Sequence, residues 1–335
     1  MDEVSMPYLR KTYYALALDP VHIGSGEMQM GRVDNPIVRD AASNLPKIPA
    51  TSLAGVARTY TAMHYPEKYR RPVEVKPGVV GYASCADQTG PTGKKDGACG
   101  RVDCPVCIPY GFLQPSGRTS PSMVQTFDAF PLFFPAPSML GPVWVTSPER
   151  LRELVQSGAL EAKDVDIQLK PEHGFRLQTG LPGRRLNLGW LLLPVAVPAS
   201  PLTPSGVARL KAANVPEEML TRLVLVPDEL FAQVVNNNLE VRTSTAIDRS
   251  TGAALTGALY TYEAIPRGTL FSFPVVYKNP RDFLLDGQPI PQDITWVQEQ
   301  VEKGLHYIEY LGIGGKSTRG MGRLRVLNLE VGSRE

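Results

Sequence analysis

Strand then helix opens this chain, and helix then strand closes it. Residues 8–18 alternate around Thr12, Tyr14, Leu16 and Leu18, the period of two expected of a half-buried strand. Pro49 then leads into Thr51 or Ser52 as an N-cap, and Leu53 to Met63 reads as a helix. Near the other end, Asp293 is placed to cap a helix carrying Ile294, Val297, Val301, Leu305, Ile308 and Leu311 on one face. Gly312 stops that helix, and Leu324 to Val331 makes a closing strand. Two such halves meeting in one sheet form a split β-α-β arrangement. The expected fold class is therefore α+β, with a ferredoxin-like (RRM-like) core and large insertions. Fold alone assigns no function.

The expected organisation places the palm core in residues 1–65 and 271–335. Residues 66–139 form a Pro- and Gly-rich insertion that holds every cysteine. Residues 140–231 form a partly helical lobe, with apolar-periodic stretches at 149–156, 205–213 and 216–224. Residues 232–270 read as a β-hairpin excursion whose turn is Asp248 to Gly252, DRSTG. Across 335 residues, 35 basic side chains nearly balance 33 acidic ones, so any nucleic-acid surface is local. No apolar run approaches the ~18 residues of a membrane span. The first residues, MDEVSMPYLRK, carry acids and no apolar segment, unlike a secretory signal. A cytoplasmic protein with no membrane partner is the expectation.

Three stretches carry chemistry. The first is Gly312 to Val326, GIGGKSTRGMGRLRV, with five glycines and the cations Lys316, Arg319, Arg323 and Arg325. Glycines let backbone N–H groups approach an anion, and the cations supply charge, as a phosphate-contacting loop requires. Walker A fails because Tyr310 stands where its first glycine belongs, and GxGxxG fails at Ser317. A phosphodiester backbone fits better than a bound nucleotide, and a flexible basic turn is the plainer reading.

The second stretch is Cys85, Cys99, Cys104 and Cys107, the chain's only cysteines, within 23 residues. Cys104-Pro-Val-Cys107 is a CxxC, which lets two thiolates share one tetrahedral ion at ~2.3 Å. Structural Zn2+ held by all four is the preferred reading. Two disulfides, a CxxC redox pair, and His64 in place of one cysteine are the alternatives. A closed set of four cysteines has no open coordination position and staples a loop without catalysing.

The third stretch, Val21 to Asp40, holds a Gly24-Ser25-Gly26 turn and Asp34 between Arg32 and Arg39. An aspartate beside bound RNA can hold a divalent ion or assist attack by a 2′-hydroxyl on the adjacent phosphate. A turn-forming Asp34 before Asn35-Pro36, and an Arg39–Asp40 surface pair, are the bland explanations.

In combination, HIGSG (22–26), VDNPIVRD (33–40), IPATSLAGVAR (48–58) and GGKSTRGMGR (314–323) resemble the RAMP superfamily. The resemblance is to the backbone subunits of type III CRISPR effector complexes, Cmr- or Csm-like. Residues 240–271 are similar to that family's thumb, and FDAF (127–130) and VWVTSP (143–148) to blocks of its Cmr-type members. The blocks occur in order over most of the chain. Ala54 departs from a lysine common in the family, while Arg58 is kept.

The resemblance implies stacked copies along a CRISPR guide RNA, with other type III effector subunits as partners. The thumb would press between the guide and a complementary target RNA. RNA contacts would come from His22, Gly24, Ser25, Gly26, Arg32 and Arg39, then Ser52 and Arg58, then Gly314, Gly315, Lys316, Ser317, Arg319 and Arg323. Asp34 matches the family's catalytic aspartate and would cleave target RNA at regular intervals, aided by Mg2+ or Mn2+. That makes the chain a metal-dependent endoribonuclease within its complex. A non-catalytic guide-binding scaffold is one alternative. A stand-alone CRISPR RNA-processing endoribonuclease, drawing on His22, His64, His173 or His306, is the other.

Overall fold

The computed structural model describes residues 6–26, 33–87, 89–90, 93, 97–170, 172, 174–255 and 258–330. In chain order the elements that position the site are β1 (Tyr8–Ala17), α1 (Ala50–His64), α2 (Cys107–Tyr110), β2 (Val124–Thr126), β3 (Phe130–Ala136) and β4 (Val143–Thr146). Next come α3 (Pro148–Gln156), β5 (Leu177–Gln178), β6 (Arg185–Leu188), β7 (Leu191–Val197), α4 (Pro204–Ala212), α5 (Glu217–Thr221), β8 (Leu223–Leu225) and α6 (Asp228–Asn237). The chain closes with β9 (Glu240–Ser244), β10 (Tyr260–Ala264), β11 (Leu270–Lys278), α7 (Ile294–His306), α8 (Ile308–Leu311) and β12 (Leu324–Val326).

Both ends of the chain meet in one mixed α/β unit. β1 pairs antiparallel with β11, Tyr13 opposite Phe273, and with β12, Ala15 opposite Val326. β11 pairs onward with β2 and β3, so the first and last strands lie side by side in a ten-stranded sheet of order β6-β7-β5-β8-β4-β3-β11-β1-β12. Alternation along β1 separates two cores, as a period of two demands. Tyr13, Ala15 and Ala17 join Leu53 and Ala57 of α1 and Val297, Val301 and Leu305 of α7. Tyr14 joins Leu132, Leu151, Leu154 and Leu270 on the other side. Beneath the first face, buried Glu302 accepts from Tyr13 Oη at 2.7 Å and from Lys11 Nζ at 2.8 Å, so its charge is paired.

Several local expectations change. Neither Thr51 nor Ser52 caps α1: Pro49 occupies the N-cap position, and no cap side chain bonds the first turn. The Asp128 carboxylate, from the β2–β3 connection, accepts the Ala50 N–H at 2.7 Å instead. At the far end Asp293 does cap α7, accepting from Trp296 N–H at 2.8 Å. The closing strand stops at Val326, short of the expected Val331, which lies outside the described residues. Beyond it the Asn328 side-chain amide takes over the ladder, accepting from Tyr14 N–H and donating to the Thr12 carbonyl.

The 140–231 segment is a lobe with helices α3, α4 and α5 near the expected positions, but its strands extend the same sheet. β5, β8 and β4 are only two to four residues long, too short to show a period in sequence. Segment 232–270 begins inside helix α6, and the paired hairpin is β9–β10, with Glu240 opposite Ala264 and Ser244 opposite Tyr260. Its outer turn follows Asp248 to Gly252, where Gly252 N–H donates to the Asp248 carbonyl at 2.8 Å.

α1 and α7 cross closely at Gly304, where a Cβ would run into the Ala57 carbonyl and the Thr61 hydroxyl. Replacing Gly304 by Ala should overpack this crossing and cost about 1–3 kcal/mol, measured by denaturant unfolding. Unchanged stability would mean that the helices can separate freely.

Candidate nucleic-acid interface and metal centre

The glycine loop after α8 closes against the turn that follows β1. Gly315 N–H donates to the His22 carbonyl at 2.9 Å, Gly322 N–H to the Pro20 carbonyl at 2.9 Å, and Ile313 N–H to the Gly322 carbonyl at 2.9 Å. A Cβ at Gly314 would strike the His22 carbonyl and the Ile23 side chain, and one at Gly322 the Ile313 carbonyl. Both glycines also have φ near +90°, in the region L side chains avoid. These two glycines therefore serve a backbone-to-backbone contact inside the protein, a different purpose from approach to an anion. Ser317 and Gly320 stay exposed at the loop's outer side.

The loop's four cations divide into two pairs. Lys316 Nζ lies 4.9 Å from the Tyr260 ring centre and 4.3 Å from that of Tyr262, both on β10. Arg319 Nη1 donates to Tyr260 Oη at 2.5 Å and to Ser244 Oγ at 3.1 Å. Arg323 instead pairs with Asp19 at 2.5 Å, and Arg325 with Glu309 at 2.7 Å. Arg323 is thus committed to a carboxylate, although an RNA contact is expected of it. Hydrogen bonding to Ser244 and Arg319 pulls the Tyr260 phenol down to about 8.

The 21–40 segment is docked on the other edge of β10. Gly24 bridges Ile37, Ser25 N–H donates to the Pro36 carbonyl at 3.1 Å, and Asn35 bridges Tyr262 in parallel. Gly26 is exposed, and Arg32 lies outside the described residues. His22 is 6% exposed, with Nδ1 2.6 Å from the Glu263 carbonyl and its ring edge-on to Tyr262. Burial lowers its pKa, which keeps the imidazole neutral at pH 7. It is a packing residue between loop and hairpin, and its ring is not presented for an RNA contact.

Asp34 is half-buried at the hairpin root. Its Oδ2 accepts from Thr261 N–H at 2.6 Å and from the Thr261 hydroxyl at 2.9 Å, and these bonds lower its pKa. The carboxylate is ionised at pH 7 and anchored across 227 residues of sequence, unlike an ordinary local turn residue. Arg39 does not pair with Asp40. Its Nη2 meets Glu263 Oε2 at 2.7 Å, with side chains 22% and 5% exposed, and its Nε donates to Asn236. Asp40 turns to Ser43, Ala42 and Lys47. Arg39 is thereby spent on the fold: it neutralises a buried carboxylate and ties the segment to β10 and α6.

At the start of α1, the Asp128 carboxylate bonds Ala50 N–H and also Lys47 Nζ at 2.6 Å. An internal anion therefore sits at the helix end expected to hold phosphate, with half-buried Ser52 beside it. Arg58 points toward the cysteine insertion, where its Nη2 donates to the Cys85 carbonyl at 3.1 Å. A cleft of about 570 Å³ lies next to Asp128, and its charged lining is Arg10, Asp40, Asp128 and Glu153. Three carboxylates against one guanidinium suit phosphate poorly. Tyr260, Tyr262, Thr261, Glu263 and Asp128 were not identifiable from sequence, because each acts through a partner distant in the chain.

The four cysteines converge. Cys85 follows a short hairpin, Cys99 lies in the loop beyond it, and Cys104 and Cys107 lead into α2. All four Sγ atoms lie within 4.8 Å of one another, and none is bridged. The Cys99 and Cys107 sulfurs are 3.8 Å apart, the separation of two thiolates at ~2.3 Å from one tetrahedral ion. Cys107 N–H donates to Cys104 Sγ at 3.3 Å, the backbone-to-sulfur bond of a metal knuckle. Mutual hydrogen bonding, through Cys104 first, pushes the Cys107 thiol up and the Cys99 thiol down, a conflict that a shared dication removes. His64 takes no part: it is exposed, with Nδ1 3.3 Å from the Tyr307 hydroxyl. The donor set fits a structural metal ion.

A family model described as the RAMP superfamily matches residues 15–325. The CRISPR system Cmr endoribonuclease Cmr4 of Pyrococcus furiosus is 24% identical over 321 residues, which is 94% of this chain and 94% of that protein. A chain of a type III-B Cmr-beta complex bound to cognate target RNA superposes with TM-score 0.60 at 16% identity, covering 96% of this chain and 99% of that one. The oligomeric Cmr4 crystal structure from Pyrococcus furiosus gives TM-score 0.55 at 22% identity, covering 96% and 98%. At these identities the structures show a shared fold. Among the described residues no helix is long and apolar enough to cross a membrane.

Metal analysis of the purified protein should give about one zinc per chain, and Cys104→Ser should lower both the zinc content and Tm. Fully folded protein without zinc would exclude a structural metal here.

Proposed function

This chain belongs to the RAMP superfamily, and we propose that it is a guide-RNA-binding backbone subunit of a type III, Cmr-type CRISPR effector complex. It would assemble with further copies of itself and with other effector subunits, and would meet complementary target RNA on the guide. The observation that carries this reading is the exposed cation pair at the hairpin root. Among the described residues, Lys316 and Arg319 are held by tyrosines and by no carboxylate, so their charge is available to phosphate. The full-length likeness to a chain from a target-RNA-bound complex supports the same assignment.

In this reading residues 1–65 and 271–335 are a ferredoxin-like palm. The order β12-β1-β11-β3, with α1 and α7 on one face, is the order such a core requires and supports the assignment. Residues 66–139 are the zinc insertion, 140–231 the lobe, and 232–270 carry the thumb hairpin. Gly24, Ser25, Gly26, Gly314, Gly315 and Ser317 would shape the RNA path, with Lys316 and Arg319 binding phosphates. Protein in the cytoplasm follows from this role.

A second reading adds cleavage. Asp34 sits where the hairpin leaves the palm, and Thr261 keeps its carboxylate ionised and oriented. With Mg2+ or Mn2+ beside it, that group is suited to assist a 2′-hydroxyl attack on a neighbouring phosphate. Stand-alone RNA processing by histidine is less favoured. His22 is buried, and His64 and His306 pack among Tyr65, Tyr307 and Tyr310, while His173 lies outside the described residues.

The assembled complex, given end-labelled RNA complementary to its guide in magnesium, tests both readings. Backbone binding predicts tight target capture that weakens when Lys316→Ala and Arg319→Ala are combined. The slope of log affinity against log salt should then flatten by about 1.4, for two lost single-strand phosphate contacts. Cleavage predicts a regular ladder that Asp34→Ala reduces by about 100-fold or more while assembly persists. Tight capture with no ladder from wild type would leave the scaffold reading alone.

A further inference from the structure

We propose that Tyr260 is a positioning residue for RNA binding: with Tyr262 it clamps Lys316 and Arg319 against the hairpin as a preset cradle for one phosphodiester group. The glycine loop and the hairpin then engage RNA as one unit. The inference rests on the RNA-binding reading above and deepens it.

Lys316 is a non-glycine residue at φ 63°, a conformation that something must hold. Its ammonium lies 4.3 Å from the Tyr262 ring centre and 4.9 Å from that of Tyr260, and the two rings are 6.1 Å apart. This is cation–π geometry on two faces. The Tyr260 hydroxyl meets Arg319 Nη1 at 2.5 Å, and the same Nη1 reaches Ser244 Oγ at 3.1 Å. A guanidinium carries five N–H donors in a fixed fork, so anchoring Nη1 aims Nε and Nη2 without using them. Two cations drawn to one pair of rings repel each other, and an incoming phosphate relieves that repulsion. Arg323 and Arg325, in the same loop, are already neutralised by Asp19 and Glu309.

The arrangement has a titration signature. The groups facing the Tyr260 phenol are Lys316 and Arg319 from the loop and Ser244 and Tyr262 from the hairpin. Arg242 on β9 is held by Glu240, and neutral His22 lies behind Tyr262. The free phenol ionises near 8. A phosphate in the cradle disfavours the phenolate and raises that pKa. Binding at the clamp is therefore at full strength below about pH 8 and weakens as pH rises through it.

The test is fluorescence anisotropy of the full chain with labelled single-stranded RNA made of adenosine and cytidine, whose bases stay neutral here. Tyr260→Phe keeps the ring and removes the hydroxyl; a thermal melt checks that it folds. It should bind about three- to ten-fold more weakly near pH 7, as expected for one lost hydrogen bond to a charged group. Wild-type affinity should fall between about pH 7 and 9, and the variant's should stay flat. A folded Tyr260→Phe with wild-type affinity and a wild-type pH profile overturns the clamp. If combined Lys316→Ala and Arg319→Ala leaves binding intact, RNA binding at this loop fails as well. If that double variant binds weakly while Tyr260→Phe matches wild type, only the clamp fails.

Discussion

The contact between the glycine loop and the turn after β1 is the point on which the rest of this structure depends. Three backbone hydrogen bonds join Gly315 to His22, Gly322 to Pro20 and Ile313 to Gly322. They hold because Gly314 and Gly322 admit the carbonyls of His22 and Ile313 at distances that a side chain would block. The His22 ring, locked under this contact, carries it on to the Glu263 carbonyl on β10. Through Glu263 the same framework captures Arg39, and along the edge of β10 Thr261 captures Asp34. The two ends of the chain, the hairpin and the candidate carboxylate are thus one rigid neighbourhood assembled around buried backbone.

What sequence reading reached was what local pattern encodes. The period of β1, the Asp293 cap, the CxxC knuckle and the composition of the glycine loop all lie within a few residues of themselves. What it missed depends on partners far along the chain. The cap of α1 comes from Asp128, and Arg39 answers to Glu263 where its neighbour Asp40 was the nearer guess. Arg323 is absorbed by Asp19, whereas Lys316 and Arg319, alike in sequence, remain on the tyrosines. Nothing local distinguishes these three cations. The two- and three-residue strands of the lobe carry too few side chains for any period to register.

The cysteine group belongs to the scaffold. Cys85 N–H is tied to the Lys68 carbonyl just past α1, and Arg58 of α1 bonds the Cys85 carbonyl. A metal ion there would fasten the 66–139 insertion to the same helix that packs on α7. Ion-pair chemistry plays the corresponding part at the hairpin root, where a 5% exposed glutamate is tolerated because a guanidinium reaches it.

The pairing of the first strand with the last has a consequence for how the protein is made. Tyr13 and its hydrogen-bond partner Tyr277 are 264 residues apart. At a synthesis rate of ~5–20 residues per second, β1 waits for tens of seconds before β11 leaves the ribosome. During that interval its apolar face has no native cover, whereas the 140–231 lobe can form contacts within itself. The nascent chain therefore passes through a stage in which the middle is ordered and the beginning is not. In that window a bound chaperone on residues 8–17 protects the fold more than one anywhere else.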